Sequence, residues 1–222
     1  MKQLLIGGFM VFLLPLMGFS QGEFHFKIAK LKYEGGGDWY ANPTALPNLI
    51  TFINDQSNVK IAPTEEVVEA GGSQIYQYPY VYLTGHGNIN LSNSEAQNLR
   101  KYLESGGFLH IDDNYGLEKY NYARREMKKV FPDQEFIELP YTHEIYTEHF
   151  EFPEGLPKIH EHDGKPPRGY ALFHEGRVVV FYTVETDLGD GWEDTQVHND
   201  PEEVREKALQ MGANIVLWAI NH

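Results

Sequence analysis

Tyr80-Val-Tyr-Leu-Thr-Gly-His-Gly87, then Ser92-Asn-Ser-Glu95, then Gly106-Gly-Phe-Leu-His-Ile-Asp-Asp113 decide how this chain is read. Tyr80 to Leu83 is apolar or aromatic throughout, as suits a strand covered on both faces. Ser92 and Glu95 have the spacing of a capping box, in which side chains and backbone at a helix start satisfy one another. Ala96, Leu99, Tyr102 and Leu103 follow at helical spacing, and Gly106-Gly107 stops the helix. Phe108 to Ile111 is then another covered strand. Strand, helix and strand with both strands buried are the repeating unit of a parallel sheet.

Working outward, Phe24 to Tyr33 alternates apolar and polar residues and reads as the first strand, with Phe24, Phe26, Ile28 and Leu31 as candidates for burial. Leu46, Leu49, Ile50 and Ile53 recur at helical spacing. Val59 to Ala62 reads as a short second strand closed by Pro63. Thr64 to Glu69 reads as a brief helix with acids in its first turn, where they complement the dipole. Glu118 to Val130 is a basic amphipathic helix ending before Pro132, and Glu135 to Leu139 is a further strand. Tyr170–Phe173 and Arg177–Thr183 flank His174-Glu-Gly176 as a hairpin, expected as an antiparallel edge. Pro201 opens a final helix that runs to about Trp218. Pro153 to Gly169, dense in proline and glycine, reads as a surface excursion.

Residues 1–20 read as a signal peptide: Met1-Lys-Gln3 is basic, Leu4 to Phe19 is almost wholly apolar, and Gly18-Phe-Ser20 places small residues where a signal peptidase reads. The apolar run is shorter than the roughly 20 residues of a spanning helix and is broken by Pro15. Residues 21–222 then form a single α/β domain, periplasmic or secreted, with no membrane span after cleavage. The 222 residues contain no cysteine, which removes disulfides, thiolate metal sites and cysteine nucleophiles. With 32 acidic and 18 basic residues the net charge is −14, which disfavours nucleic acid as a partner.

Ligands of open parallel α/β sheets bind outside the carboxyl ends of the strands. Three polar loops fall there: Gly35-Gly36-Gly37-Asp38-Trp39-Tyr40, Thr84-Gly85-His86-Gly87, and Asp112-Asp113-Asn114. Asp112 and Asp113 follow a buried strand and must be solvated, paired or bound to a cation, the alternative being a helix cap with Asp113 or Asn114 closing the loop. His86 is a candidate acid, base or ligand near neutral pH, or a solvated turn residue. The glycine loop lacks the Gly-Lys-Ser/Thr of a phosphate cradle, so Asp38, Trp39 and Tyr40 point to a polyol, with Trp39 packed on the sheet edge as the alternative. Trp192 in Asp190-Gly-Trp-Glu193 invites the same pair of readings. His143-Glu-Ile-Tyr-Thr-Glu-His149 misses the two-histidine helix motif of zinc enzymes by two positions. His160-Glu-His162 has strand-like ligand spacing but no third ligand, and is read as solvated loop. No metal and no cofactor is assigned.

Tyr80–Gly87, the capped helix and Gly106–Asp113 resemble the class I glutamine amidotransferase-like fold. More closely, Gly36-Gly-Asp-Trp-Tyr40, Gly106–Asp113 and His143-Glu-Ile-Tyr146 resemble an uncharacterised bacterial family of that fold, a domain of unknown function often found in exported proteins. The resemblance implies a three-layer α/β sandwich with a mainly parallel sheet, flavodoxin-like or amidotransferase-like, and an edge for the site. It implies no reaction. Working amidotransferases carry a cysteine where this chain has Asp112-Asp113, so thiol-based glutaminase chemistry is excluded.

The leading expectation is a binding protein for a small polar or carbohydrate-like ligand, or for a loop of an envelope protein. Gly36, Gly37, Asp38, Trp39, Tyr40, Gly85, His86, Gly87, Asp112, Asp113 and His143 would form its site. The rival is a hydrolase, metal-assisted or not, with Asp112, Asp113 and His86 or His143 in catalysis. The remaining alternative is a noncatalytic envelope assembly module.

Overall fold

Strands β1 (Ile28–Lys32), β2 (Glu66–Glu69), β3 (Tyr80–Leu83), β4 (Phe108–Asp112), β5 (Ile137–Glu138), β6 (Arg168–His174) and β7 (Arg177–Val184) form one sheet. Their order is β2-β1-β3-β4-β7-β6-β5 in a computed structural model that describes residues 24–112 and 116–222. The signal-peptide reading and Asp113 lie outside the described residues. Every neighbour pair from β2 across to β7 is parallel, and β6 runs antiparallel to both β7 and β5. The chain moves from β1 to β2 on one side and then to β3 and β4 on the other. The order therefore reverses between β1 and β3, where such sheets open a crevice at their carboxyl ends.

The α-helices of the described residues are α1 (Ala45–Gln56), α2 (Asn93–Glu104), α3 (Gly116–Val130), α4 (Leu188–Trp192), α5 (Thr195–His198) and α6 (Glu202–Asn221), and all but the short, exposed α5 contribute to the cores on the sheet. Successive residues of a strand point to opposite faces, and the two cores separate accordingly. Ile28, Tyr80, Tyr82 and Phe108 pack with α1 and α6. Ala29, Leu31, Val81 and Leu109 pack on the other face with α2 and α3. The result is a mixed α/β sandwich. No helix among the described residues is long and apolar enough to cross a membrane.

The capping box is complete. Ser92 Oγ accepts from the Glu95 amide at 3.3 Å, and Glu95 Oε2 accepts from the Ser92 amide at 2.7 Å. Ala96, Leu99, Tyr102 and Leu103 are the buried stripe of α2, as their spacing requires. The β6–β7 hairpin also forms, with Glu175 and Gly176 both at positive φ in its turn. It is not the outer edge, because β5 pairs with β6 beyond it.

Two expectations are corrected. The stretch Thr64–Glu69 is not a helix: Glu66–Glu69 is β2, parallel to β1 with Leu31 opposite Val68. Its acids meet Lys32 of β1 and Lys27 just before it, Lys32 to Glu69 at 2.8 Å and Lys27 to Glu66 at 3.6 Å, and charge on a sheet edge resists pairing with other chains. Val59–Ala62 is not a full strand. Ile61 makes only an isolated bridge to Phe26, and its backbone is held at both ends by the Asn54 side chain at 2.8 Å.

Truncating Leu99, fully buried on α2, to alanine is expected to cost about 2–5 kcal/mol. Ser92→Ala removes only the cap and is expected to cost about 1 kcal/mol. Urea unfolding of both variants checks the order. A Ser92→Ala loss as large as that of Leu99→Ala would contradict this account of α2.

Candidate functional site

The loops after β1 and β3 are packed against each other. Glu34 and Gly36 make isolated bridges to Asn90 and Asn88. Gly85 sits at φ +117°, and a Cβ there would come 2.6 Å from the Asp38 carbonyl oxygen, so only glycine admits this approach. Gly37 and Gly87 touch in the same way. The glycines thus serve contact between the two loops rather than an anion cradle. This contact builds a couple: the Asp38 amide donates to the His86 carbonyl at 2.9 Å, and the His86 amide donates to Asp38 Oδ1. Asp38 Oδ2 lies 2.8 Å from His86 Nδ1. Both side chains remain substantially exposed, at 33 and 46 %, so the pair adds at most about 1 kcal/mol of stability. Tyr40 beside them is 65 % exposed, and Trp39 meets its ring edge-on while packing on the α2–α3 core.

Asp112 is at the expected edge but not at the surface. It ends β4 at 3 % exposure, and its oxygens are occupied from three directions. Thr183 of β7 donates to Oδ1 at 2.7 Å, while Tyr82 of β3 at 3.1 Å and the Gly189 amide of α4 at 2.6 Å donate to Oδ2. Burial pushes the carboxyl up to about 7. The three hydrogen bonds oppose that rise and the Asp187 charge adds to it. The chain of contacts continues inward: Thr183 Oγ1 lies 3.1 Å from His110 Nε2, and His110 Nδ1 lies 2.8 Å from the Tyr80 hydroxyl. Burial pushes His110 down to about 3, so the ring is neutral at pH 7. Asp112 is therefore a structural acceptor that fixes the start of α4. A Cβ at Gly189 would overlap the Tyr82 hydroxyl and lie 2.9 Å from Asp112 Oδ2, which is why glycine follows Leu188.

The turn that Asp112 fixes carries a second polar group of residues. Asp187, at φ +56° and 2 % exposed, precedes α4, and Asp190 lies within it. The Pro153–Gly169 excursion folds back over this turn, its Ile159 amide donating to the Thr186 carbonyl at 3.0 Å. That contact delivers two histidines. His160 Nδ1 lies 3.1 Å from Asp190 Oδ2 and 3.4 Å from Asp187 Oδ2, and His162 Nε2 lies 2.7 Å from Asp187 Oδ2. His198 of α5 adds Nε2 at 3.7 Å from Asp190 Oδ2 and 3.1 Å from Glu193 Oε2. Asp187 and Asp190, with help from Asp200, hold the His160 imidazolium up to about 11. Burial works against ionisation of Asp190, yet His160, His198 and Asn42 keep its carboxyl below the usual range. Reading His160 and His162 as solvated loop is thus corrected: both are partly buried and paired. Ligand atoms of His160, Asp190 and His198 all lie within 4.8 Å of one another, a spacing that can hold a metal ion.

The other candidates stand apart. His143 packs its ring 5.0 Å from that of Trp218, near the carboxyl end of α6. Arg205 near the start of α6 donates to the Glu193 carbonyl at 2.6 Å, so His143 sits about 20 Å further along that helix and does not join either polar group. Trp192 is fully buried, its indole donating to the Ala208 carbonyl at 2.7 Å, and is core rather than a stacking platform. A hollow lined by Phe26, Tyr76, Tyr78, Pro79, Tyr102 and Gly107 opens at the opposite, amino-terminal end of β3 and β4, and its lining holds no carboxylate, imidazole or ammonium group. Asp187 and His198 were not among the candidates read from the sequence, and Asp190 entered only within the Asp190-Gly-Trp-Glu193 stretch around Trp192. The available signal was Asp187-Leu-Gly-Asp190, which begins three residues past a strand buried from Val178 to Val184.

Asp112 has a pH signature whose sign follows from its raised value. Between about 3.8 and 7 the unfolded chain has released this proton and the folded protein has not, so Asp112 lowers stability as pH rises through that window. His110 acts oppositely between about 6.5 and 3, because the unfolded chain protonates there and the folded protein does not. The two slopes offset each other in the intact protein. Asp112→Asn removes one of them, so its stability relative to the parent is expected to rise by about 1.4 kcal/mol per pH unit from pH 4 toward 7. Denaturant unfolding across that range checks this, and a pH-independent difference would contradict it.

No curated protein matches this chain. A family described only as a domain of unknown function, DUF4159, matches residues 27–220, a span that contains the Asp38–His86 couple, Asp112 and the histidine–aspartate group after β7. Because the match covers nearly the whole chain, the protein belongs to the DUF4159 family.

Proposed function

We propose that this chain is an exported protein of the class I glutamine amidotransferase-like fold that binds a small polar or carbohydrate-like ligand between the carboxyl ends of β1 and β3. The order β2-β1-β3-β4-β7, parallel throughout, supports that fold, and the Leu4–Phe19 apolar run supports export. The observation that carries the binding reading is the Asp38–His86 couple. It stands where the strand order reverses, is too exposed to be explained by its contribution to stability, and is assembled by glycine contacts that no larger residue admits. Asp38 accepts hydroxyl hydrogens, His86 supplies a polar ring, and exposed Tyr40 offers a flat apolar face to a sugar ring. Asp112 acts from beneath, as support for the sheet edge rather than as a contact.

Calorimetric titration with a panel of mono- and oligosaccharides and polyols tests the reading. A hydrogen bond to a charged group is worth about 1.5–3 kcal/mol, so Asp38→Asn and His86→Ala are each expected to weaken the best binder by roughly 10- to 100-fold. Thermal midpoints should stay within a few degrees of the parent. Failure of the whole panel to bind, or equal binding by both variants, would reject the proposal.

A further inference from the structure

We propose that His160, Asp190 and His198 bind one divalent transition-metal ion of the zinc class, with the buried Asp187 carboxylate beside them. This site stands on the turn after β7 and is independent of the ligand proposed for the β1–β3 crevice.

The donor set is two imidazole nitrogens and carboxylate oxygen, which suits zinc and its neighbours rather than calcium or magnesium. The spacing fits as well. Ligands about 2.1 Å from a tetrahedral ion lie about 3.4 Å from each other. Asp190 Oδ2 is 3.1 Å from His160 Nδ1 and 3.7 Å from His198 Nε2, on either side of that figure. The two imidazole rings approach to 5.2 Å between centroids.

The surroundings match what metal ligands need. A ligating histidine is oriented by a carboxylate on its other nitrogen, and a ligating carboxylate is itself hydrogen-bonded. His160 Nε2 lies 3.1 Å from Asp200 Oδ1, and Asn42 Nδ2 donates to Asp190 Oδ1 at 2.6 Å. The Asn42 backbone is in turn fixed by the buried Lys30 ammonium, which donates to its carbonyl at 3.1 Å.

Asp187 supplies the independent observation. Its side chain is 97 % buried, and its Oδ2 faces His160 and His162. Its Oδ1 is buried and accepts no hydrogen bond among the described residues. A buried carboxylate oxygen left without a donor is costly, and a purely ionic histidine–aspartate network leaves that cost standing. No lysine or arginine among the described residues pairs with the Asp187 or Asp190 side chain. A cation held by Asp190, next to Asp187, offsets the negative charge that gathers at this turn.

The test uses untagged full chain, stripped with chelator, dialysed and titrated with zinc by calorimetry and with cobalt(II) followed by visible absorption. The expected result is one equivalent bound with micromolar or tighter affinity, and a cobalt spectrum of low coordination number. His198→Gln, at an exposed position, should weaken binding at least 10-fold without altering the circular dichroism. The double variant His160→Ala/His198→Ala should abolish binding, and Asp200→Asn should weaken it about 10- to 100-fold through loss of orientation at His160. Absence of stoichiometric binding by the parent chain would overturn the proposal. So would full-affinity binding by His198→Gln or by the double variant, since either would place the ion elsewhere.

Discussion

A carboxylate at the end of a fully covered strand must find donors, and the Asp112 carboxylate imposes that requirement on everything around it. Its donors come from β3, β7 and the first turn of α4, so one group ties three separate parts of the chain to a single point. Accepting from the Gly189 amide fixes where α4 begins. That in turn fixes Asp187 just before the helix and Asp190 within it. The acidic turn is then a surface on which the Pro153–Gly169 excursion docks, bringing His160 and His162 to the two aspartates. The placement of the polar group after β7 is thus a consequence of where one buried acid found its hydrogen bonds.

The two polar centres of this edge are built from different materials. Backbone contact between glycine-bearing loops makes the Asp38–His86 couple, which stays open to water. Side-chain hydrogen bonds make the group after β7, where Asp187 is almost wholly enclosed. Asn42 joins the two halves. Its left-handed backbone is held by Lys30 of β1, and its amide reaches Asp190 across the loops. Burial pulls the Lys30 ammonium below its ordinary range while nearby Glu65 and Glu193 charges oppose that shift. A lysine on a central strand is therefore part of what positions the rim.

Much of the architecture was legible in the sequence because local and tertiary signals agreed. The Ser92–Glu95 capping box, the apolar stripe of α2, the covered strands β3 and β4 and the Glu175-Gly176 turn each admit one reading, and each is present. Glu66-Val-Val-Glu69 misled because acids near a helix start and acids on a sheet edge look alike, and only Lys27 and Lys32 across the gap distinguish them. Of the site, the edge and the Asp38–His86 loops were legible, since glycine-bearing turns after strands mark both. The depth of Asp112 was not, because β4 continues one residue past its apolar run and takes the acid into the interior. The partners of His160 were hidden for another reason. They lie about 30 residues away and meet it only through the fold of an irregular excursion, which no periodicity encodes.

The central claim, that a buried Asp112 carboxyl holds the Gly189 amide and so places the acidic turn, is open to direct observation. The amide proton and nitrogen shifts of Gly189, followed by NMR as pH is varied, report ionisation of the group that accepts its hydrogen bond. The account predicts a strongly downfield Gly189 amide whose shift changes with an inflection near 7. An inflection near the ordinary carboxylate value of 3.8, or an amide indifferent to pH, would show that Asp112 is neither buried nor bonded as described.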